Sequence, residues 1–217
     1  MSQDKQQRGI SLTVIILSVV VSCILGIFFA QLNIGSSSSV IPAYEYVGTV
    51  LKTPRPVSDF QLTGTNSKIF NNKSLKGHWT MVFFGFTNCA MMCPTAMREL
   101  SITYNLLQSD KVKPLPEILM VSVDPKRDSL KRMRDYVTGF NKSFIGAIGS
   151  DKKVRKLSYE MGIAYEKVIS KNKKSADYDI QHSGAIIVLN PKGEIKAFFN
   201  WPHKPSDMAQ DYTNLIS

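Results

Sequence analysis

Apolar positions along this chain fall into two kinds of run. From Ile10 to Leu32 there are 23 residues without a charge, and nothing similar recurs. At about 1.5 Å per residue such a helix is about 34 Å long, enough to cross a hydrocarbon core of about 30 Å. The remaining runs are short or periodic. Met81-Val82-Phe83-Phe84-Gly85-Phe86 is continuous, rich in β-formers and bounded by polar residues, as in a strand buried on both faces. From Pro94 a helical spacing sets Met97, Leu100, Tyr104 and Leu107 on one side. Ile118 to Val123 is a second buried strand. Leu130, Met133, Val137 and Phe140 mark a second helix, capped by Asp128 or Ser129. Val154, Leu157 and Met161 mark a third, ended by Gly162. After a basic, polar stretch from Lys167 to Asp179 comes the strand Gly184 to Leu189. Asn190-Pro191-Lys192-Gly193 then turns the chain into a returning strand, Glu194 to Phe199. A last helix occupies part of Pro205 to Ile216.

The order β-α-β-α-(α)-β-β-α combines parallel crossovers with a terminal antiparallel hairpin. Right-handed crossovers and short connections make a thioredoxin-like α/β sandwich the simplest arrangement. With 43% hydrophobic and 20% charged residues, composition excludes wholesale disorder. The organisation expected is a cytoplasmic N-terminus (1–9), a transmembrane anchor (10–32), a tether (33–43) whose Gly35-Ser36-Ser37-Ser38-Ser39 is flexible by composition, and one folded domain (44–217).

Lys5 and Arg8 precede the apolar run, with Asp4 as the only acid, and the flank from Asn33 to Ala43 is uncharged. Positive residues stay cytoplasmic, so the domain is expected outside the cytoplasmic membrane, facing the periplasm or cell exterior. A cleaved signal peptide is the competing reading, but its apolar region would span about 7–15 residues. Val20-Val21-Ser22-Cys23 resembles a lipoprotein processing site, although six of the eight residues that follow are apolar or aromatic. In an uncleaved anchor Cys23 is a small residue of a membrane helix. Of the net charge of +10, only Lys5, Arg8 and Asp4 lie before the tether, so +9 belongs to the rest. Those charges are scattered rather than interleaved with aromatics, and an exported domain does not meet nucleic acid. They suit either a solvated surface beside anionic lipids or docking to an acidic partner.

Cys89 and Cys93 lie between the first buried strand and the first helix, in Thr87-Asn88-Cys89-Ala90-Met91-Met92-Cys93-Pro94. A helix N-terminus favours thiolate over thiol there. On a regular helix Cβ atoms four residues apart are about 5–6 Å from one another, while a disulfide wants about 3.5–4.5 Å. A loop before Pro94 lets the sulfurs converge on each other or on a metal. As a structural disulfide the pair would close a tiny loop and restrict the unfolded chain little. His182, in Gln181-His182-Ser183-Gly184, stands ahead of the hairpin strand, where a thioredoxin fold faces its thiol helix. Two soft thiolates and one imidazole suit copper, Cu(I) in particular, with Cu(II) also accepted by the imidazole. Zinc would want a fourth ligand or an open water. His78 and His203 are expected to be exposed. Met91 and Met92 either offer thioethers or shield the site with apolar bulk. Asp124 either orients a ligand from behind, pairs with Arg127, or caps the next helix.

With Phe83-Phe84-Gly85-Phe86-Thr87-Asn88-Cys89-xxx-Cys93-Pro94, then Val121-Ser122-Val123-Asp124-Pro125-Lys126-Arg127-Asp128, then His182-Ser183 before a strand, the chain resembles the Sco (SenC) family over most of Val57 to Phe199. The resemblance implies a thioredoxin fold, copper held by Cys89, Cys93 and His182, and a role in assembling the binuclear copper site of cytochrome c oxidase. Its implied partners are the copper-binding subunit of the oxidase and other copper chaperones or thiol reductants. Many relatives carry an acid directly before the histidine, where this chain has Gln181; Asp177 and Asp179 are nearby in sequence. The expected function is that of a membrane-anchored copper metallochaperone. The alternative is a thiol-disulfide oxidoreductase that uses Cys89 and Cys93 without metal, as some bacterial relatives are proposed to do. For a peroxidase, no threonine and arginine surroundings can be assigned.

Overall fold

The computed structural model describes residues 16–28, 44–169 and 178–217, and the chain divides into two units between Ala43 and Tyr44. In the first unit, residues 16–28 are helical and carry Cys23. Among the described residues no helix is long and apolar enough to cross a membrane. The expected span extends beyond this helix on both sides; its ends, the tether and the cytoplasmic N-terminus lie outside the described residues.

The second unit is built on an eight-stranded sheet. Its strands are β1 (Thr49–Pro56), β2 (Gln61–Gly64), β3 (Ile69–Asn71), β4 (Thr80–Gly85), β5 (Glu117–Ser122), β6 (Ile145–Ile148), β9 (Ile186–Leu189) and β10 (Glu194–Phe199), in the order β1-β10-β9-β4-β5-β6-β2-β3. The centre, β4-β5-β6, is parallel, and β9 joins β4 antiparallel. Helices α1 (Met92–Ser109) and α2 (Leu130–Phe140) make the crossovers from β4 to β5 and from β5 to β6. Helix α3 (Asp151–Glu160) follows β6, and α4 (Pro205–Ile216) packs against α1. Every residue of β4 and of β9 is buried, which is why both read as unbroken apolar runs. Met81, Val82, Phe83 and Phe84 are wholly removed from water, and each such side chain contributes about 1.5–3 kcal/mol.

The helices follow the sequence closely. Helix α1 begins two residues before Pro94, so Cys93 lies in its first turn. Ser129, rather than Asp128, caps α2, accepting from the N–H of Arg132. Gly162 follows α3 with φ +75°, a left-handed conformation that favours glycine. The terminal hairpin turns through Gly193 at φ +79°.

The strand expected from Gly184 starts at Ile186, because Ser183 to Ala185 form a loop. A second sheet, β7 (Tyr165–Ile169) against β8 (Tyr178–His182), is antiparallel and overlaps the stretch expected to be irregular. Residues 170–177 between its strands, Asp177 among them, lie outside the described residues. Among the described residues, β8 pairs only with β7 and with no strand of the main sheet.

Candidate metal centre

The site forms where β4 delivers the chain to α1. Beyond Gly85 the chain crosses Phe86 and a short loop before the helix starts at Met92. Cys89 is half-buried in this loop; Cys93 is wholly buried. Gly85 leaves room for the second thiol, since a Cβ there would sit 3.1 Å from Cys93 Sγ and 2.6 Å from the Phe83 ring. Asp128, itself buried, holds the loop from below. It accepts from the Thr87 hydroxyl at 2.5 Å, from the Thr87 N–H at 3.3 Å and from the Ser122 hydroxyl at 2.5 Å. Arg132 of α2 donates to Asn88 Oδ1 at 2.6 Å, next to Cys89.

The Cys93 N–H donates to Cys89 Sγ at 3.3 Å, so an orphan donor of the first helical turn points at sulfur. The hydrogen bond from the Cys93 thiol is the main influence lowering the Cys89 pKa to about 4, against the opposing effect of burial. The same bond and burial push Cys93 upward. The pair therefore keeps one proton, on the buried sulfur, and leaves the accessible sulfur as thiolate.

His182 ends β8 and brings its Nε2 to 3.3 Å from Cys93 Sγ. Its Nδ1 lies 3.0 Å from the carbonyl oxygen of Ser183. A carbonyl only accepts, so Nδ1 carries a proton, and in the neutral ring Nε2 then presents a lone pair to the thiols. The edges of Phe83 and Phe86 flank the imidazole, with ring centroids at 5.8 and 6.0 Å.

The ligating atoms of Cys89, Cys93 and His182 all lie within 4.8 Å of one another. Three ligands at about 2.0–2.3 Å around one ion would be roughly 3.5–4 Å apart, so a modest closing movement suffices. A thiolate, a thiol that metal would deprotonate and a bare imidazole nitrogen form a donor set suited to a soft, low-coordinate cation.

Other expectations fare differently. His203 is buried, not exposed, with Nδ1 3.1 Å from Glu99 Oε2 of α1; its partner is about a hundred residues away in sequence. His78 is partly exposed beside Glu117 at 3.5 Å. Met91 is 78% exposed and shields nothing, whereas Met92 is partly buried with its sulfur against Gly184. Asp124 pairs with Arg127 and caps no helix. The sequence reading missed Asp128 and Thr87 as supports of the thiol loop; a threonine ahead of the first cysteine and a buried acid after the second strand are the only local signals.

The SCO1/SenC family model matches residues 49–217. A SCO2-like protein of Rickettsia conorii is 25% identical over 93% of this chain and 97% of its own length. Copper-bound ScoI of Bradyrhizobium japonicum is 31% identical, covers 73% of this chain and 98% of its own, and superposes with a TM-score of 0.63. BsSco, described as a member of the Sco family of cytochrome c oxidase assembly proteins that carries a disulfide switch, covers 77% of this chain and 99% of its own. At 20% identity and a TM-score of 0.58 that likeness is one of fold. Mixed α/β architecture, thiol loop and imidazole agree with a thioredoxin-like fold of this kind, and the chain belongs to the SCO1/SenC family.

Proposed function

We propose that this protein is a membrane-anchored copper metallochaperone that passes copper to the binuclear site of cytochrome c oxidase during its assembly. The observation that carries the reading is the convergence of Cys89 Sγ, Cys93 Sγ and a His182 ring nitrogen within 4.8 Å, with Nε2 toward the thiols and Nδ1 hydrogen-bonded to the Ser183 carbonyl. The copper-bound Bradyrhizobium relative and the assembly role attached to the Sco family support it. In this reading residues 10–32 anchor the chain, 33–43 tether it, and 44–217 work outside the cytoplasmic membrane.

Copper is the cargo. Cys89 and Cys93 bind it as thiolates and His182 completes a three-coordinate site. Low coordination leaves an approach for a thiolate of the acceptor, so the ion moves by ligand exchange without being released. The thiols must be reduced first, which makes redox state the gate.

The test is an anaerobic Cu(I) titration of the reduced protein against a competing chelator, for wild type and His182→Ala. One-to-one binding that weakens by about 10-fold or more in the variant is expected. Binding no tighter than that of a free dithiol, unchanged by the variant, would sink the reading.

The accessible Cys89 thiolate beside a buried Cys93 thiol favours a second reading, a disulfide reductase. Cys89 would attack a substrate disulfide, Cys93 would resolve the mixed disulfide, and the products would be a substrate dithiol and a Cys89–Cys93 disulfide. That activity should survive His182→Ala.

A further inference from the structure

His182 reaches the thiols on a strand that the main sheet does not hold. Along β8 the side chains alternate, so Tyr178, Ile180 and His182 share one face. Ile180 is buried, Tyr178 and His182 are partly buried, and Asp179 and Gln181 between them are exposed. This row faces the domain. At its far end, four residues or about 13 Å from the imidazole, the strand is fastened. The Tyr178 hydroxyl donates to Asp124 Oδ1 at 2.5 Å. Arg127 Nε pairs with Asp124 Oδ2, and Arg127 Nη1 donates to the Tyr178 carbonyl at 2.9 Å. The guanidinium also lies over the Tyr178 ring, 3.9 Å from its centroid, and 5.6 Å from that of Phe86, the residue that flanks His182. Asp124 is wholly buried two residues beyond the end of β5.

We propose that Asp124, Arg127 and Tyr178 form a latch that clamps β8 to the main sheet and thereby positions His182 against the thiols. These are positioning residues, and the inference rests on His182 being a copper ligand. Opening the latch leaves both cysteines in place, held by Asp128, and withdraws the imidazole. The consequence is specific: a three-ligand site becomes a two-thiolate site.

The experiment uses the reduced full chain with Cu(I) alone as probe, as wild type, Tyr178→Phe, Arg127→Met, His182→Ala and the double variants with His182→Ala. Arg127→Met should weaken Cu(I) by about 10- to 100-fold and remove the copper–nitrogen contribution from the X-ray absorption spectrum. Tyr178→Phe, which keeps the ring and loses only the hydroxyl, should act in the same direction and more weakly; it also serves if Arg127→Met fails to fold. Neither substitution should cost more affinity once His182 is alanine, because both act through it. In metal-free protein the amides of 178–182 should exchange faster. Wild-type affinity with the nitrogen scattering retained would overturn the latch, as would losses that add fully to that of His182→Ala. If wild type and His182→Ala bind copper equally, the ligand assignment and the latch fall together. If they differ as expected while both latch variants match wild type, the latch alone fails.

Discussion

The two thiols and the imidazole come to one point on supports of opposite construction. Cys89 and Cys93 sit at the junction of β4, buried along its whole length in the middle of the large sheet, and α1. The loop between these elements rests on a buried carboxylate with three donors. His182 arrives on a two-stranded ribbon outside that sheet, attached by two buried side chains, Tyr165 and Ile180, by contacts of β7 with α3 (Lys167 with Asp151, Arg155 over the Tyr165 ring) and by the polar latch. A copper carrier must hold its ion and then give it up. In the proposed copper site two ligands are fixed and one rides on a separately attached arm, which would place the reversible step in the arm.

The largest effect should come from the fixed side. Asp128→Ala strands the Thr87 N–H, the Thr87 hydroxyl and the Ser122 hydroxyl below the thiol loop. Removing a buried charged acceptor of this kind costs about 3–5 kcal/mol, to be measured by denaturant unfolding of the whole domain. A variant of the ribbon should leave that global transition nearly unchanged and raise only local exchange. Equal global losses from Asp128→Ala and Arg127→Met would break the contrast.

The same contrast governs what the residues reveal in sequence. Strands β4, β5 and β9 are sealed on both faces, so each appears as an apolar run, and α1 to α4 show a clear helical spacing. The edges do not. Strand β1 carries Pro54 and Pro56 and is largely exposed, which reads as a breaker. Strands β2 and β3 have four and three residues, too few for a period to register, and Gly146 interrupts β6. The ribbon β7–β8 buries only alternate residues among lysines and acids, so its pattern dissolves into its polar surroundings. The clustering of Cys89, Cys93 and His182 was legible as a candidate site because soft-metal chemistry narrows the choice to cysteine and histidine. The latch was not, because it joins Arg127 to Tyr178 across about fifty residues by tertiary contact.

A smaller effect sharpens the electrostatics of the thiol side. Cys89, depressed to about 4 by the Cys93 thiol, contributes stability that is fully present above its unfolded value and lost as pH falls from there through about 4. Cys93, held above its ordinary value by the Cys89 sulfur and by burial, works in the opposite sense; its contribution is lost as pH rises past the unfolded value. The thiol pair should therefore favour folding most near pH 9, about where free thiols titrate. Cys89 is half-exposed, so the energy is discounted and the midpoint is the better readout. Alkylation of Cys89 should follow a midpoint near 4 in wild type and move up by several units in Cys93→Ala, which lacks the donor. A wild-type midpoint above 8 would show that no proton is shared.

The smallest effect concerns Gln181, the residue directly before His182 in β8, where the family resemblance implies an acid. In the ribbon Gln181 stands directly opposite Glu166, and both are exposed. Their side chains point to the face away from the Tyr165–His182 pair. Gln181→Asp would set two carboxylates in register, with Cβ atoms about 4.5–5.5 Å apart, and weaken the ribbon by about 0.2–1 kcal/mol. A carboxylate on that face cannot reach Nε2, so it acts on copper only through the ribbon and through screened charge. Exchange of the β7 and β8 amides should rise at most about fivefold, and Cu(I) affinity should stay within about threefold of wild type. Adding Glu166→Gln should restore the exchange rates by removing the opposing charge. Copper binding tightened tenfold or more by Gln181→Asp alone would mean that position 181 does reach the site, and that the ribbon does not keep His182 and its neighbour on opposite faces once metal is bound.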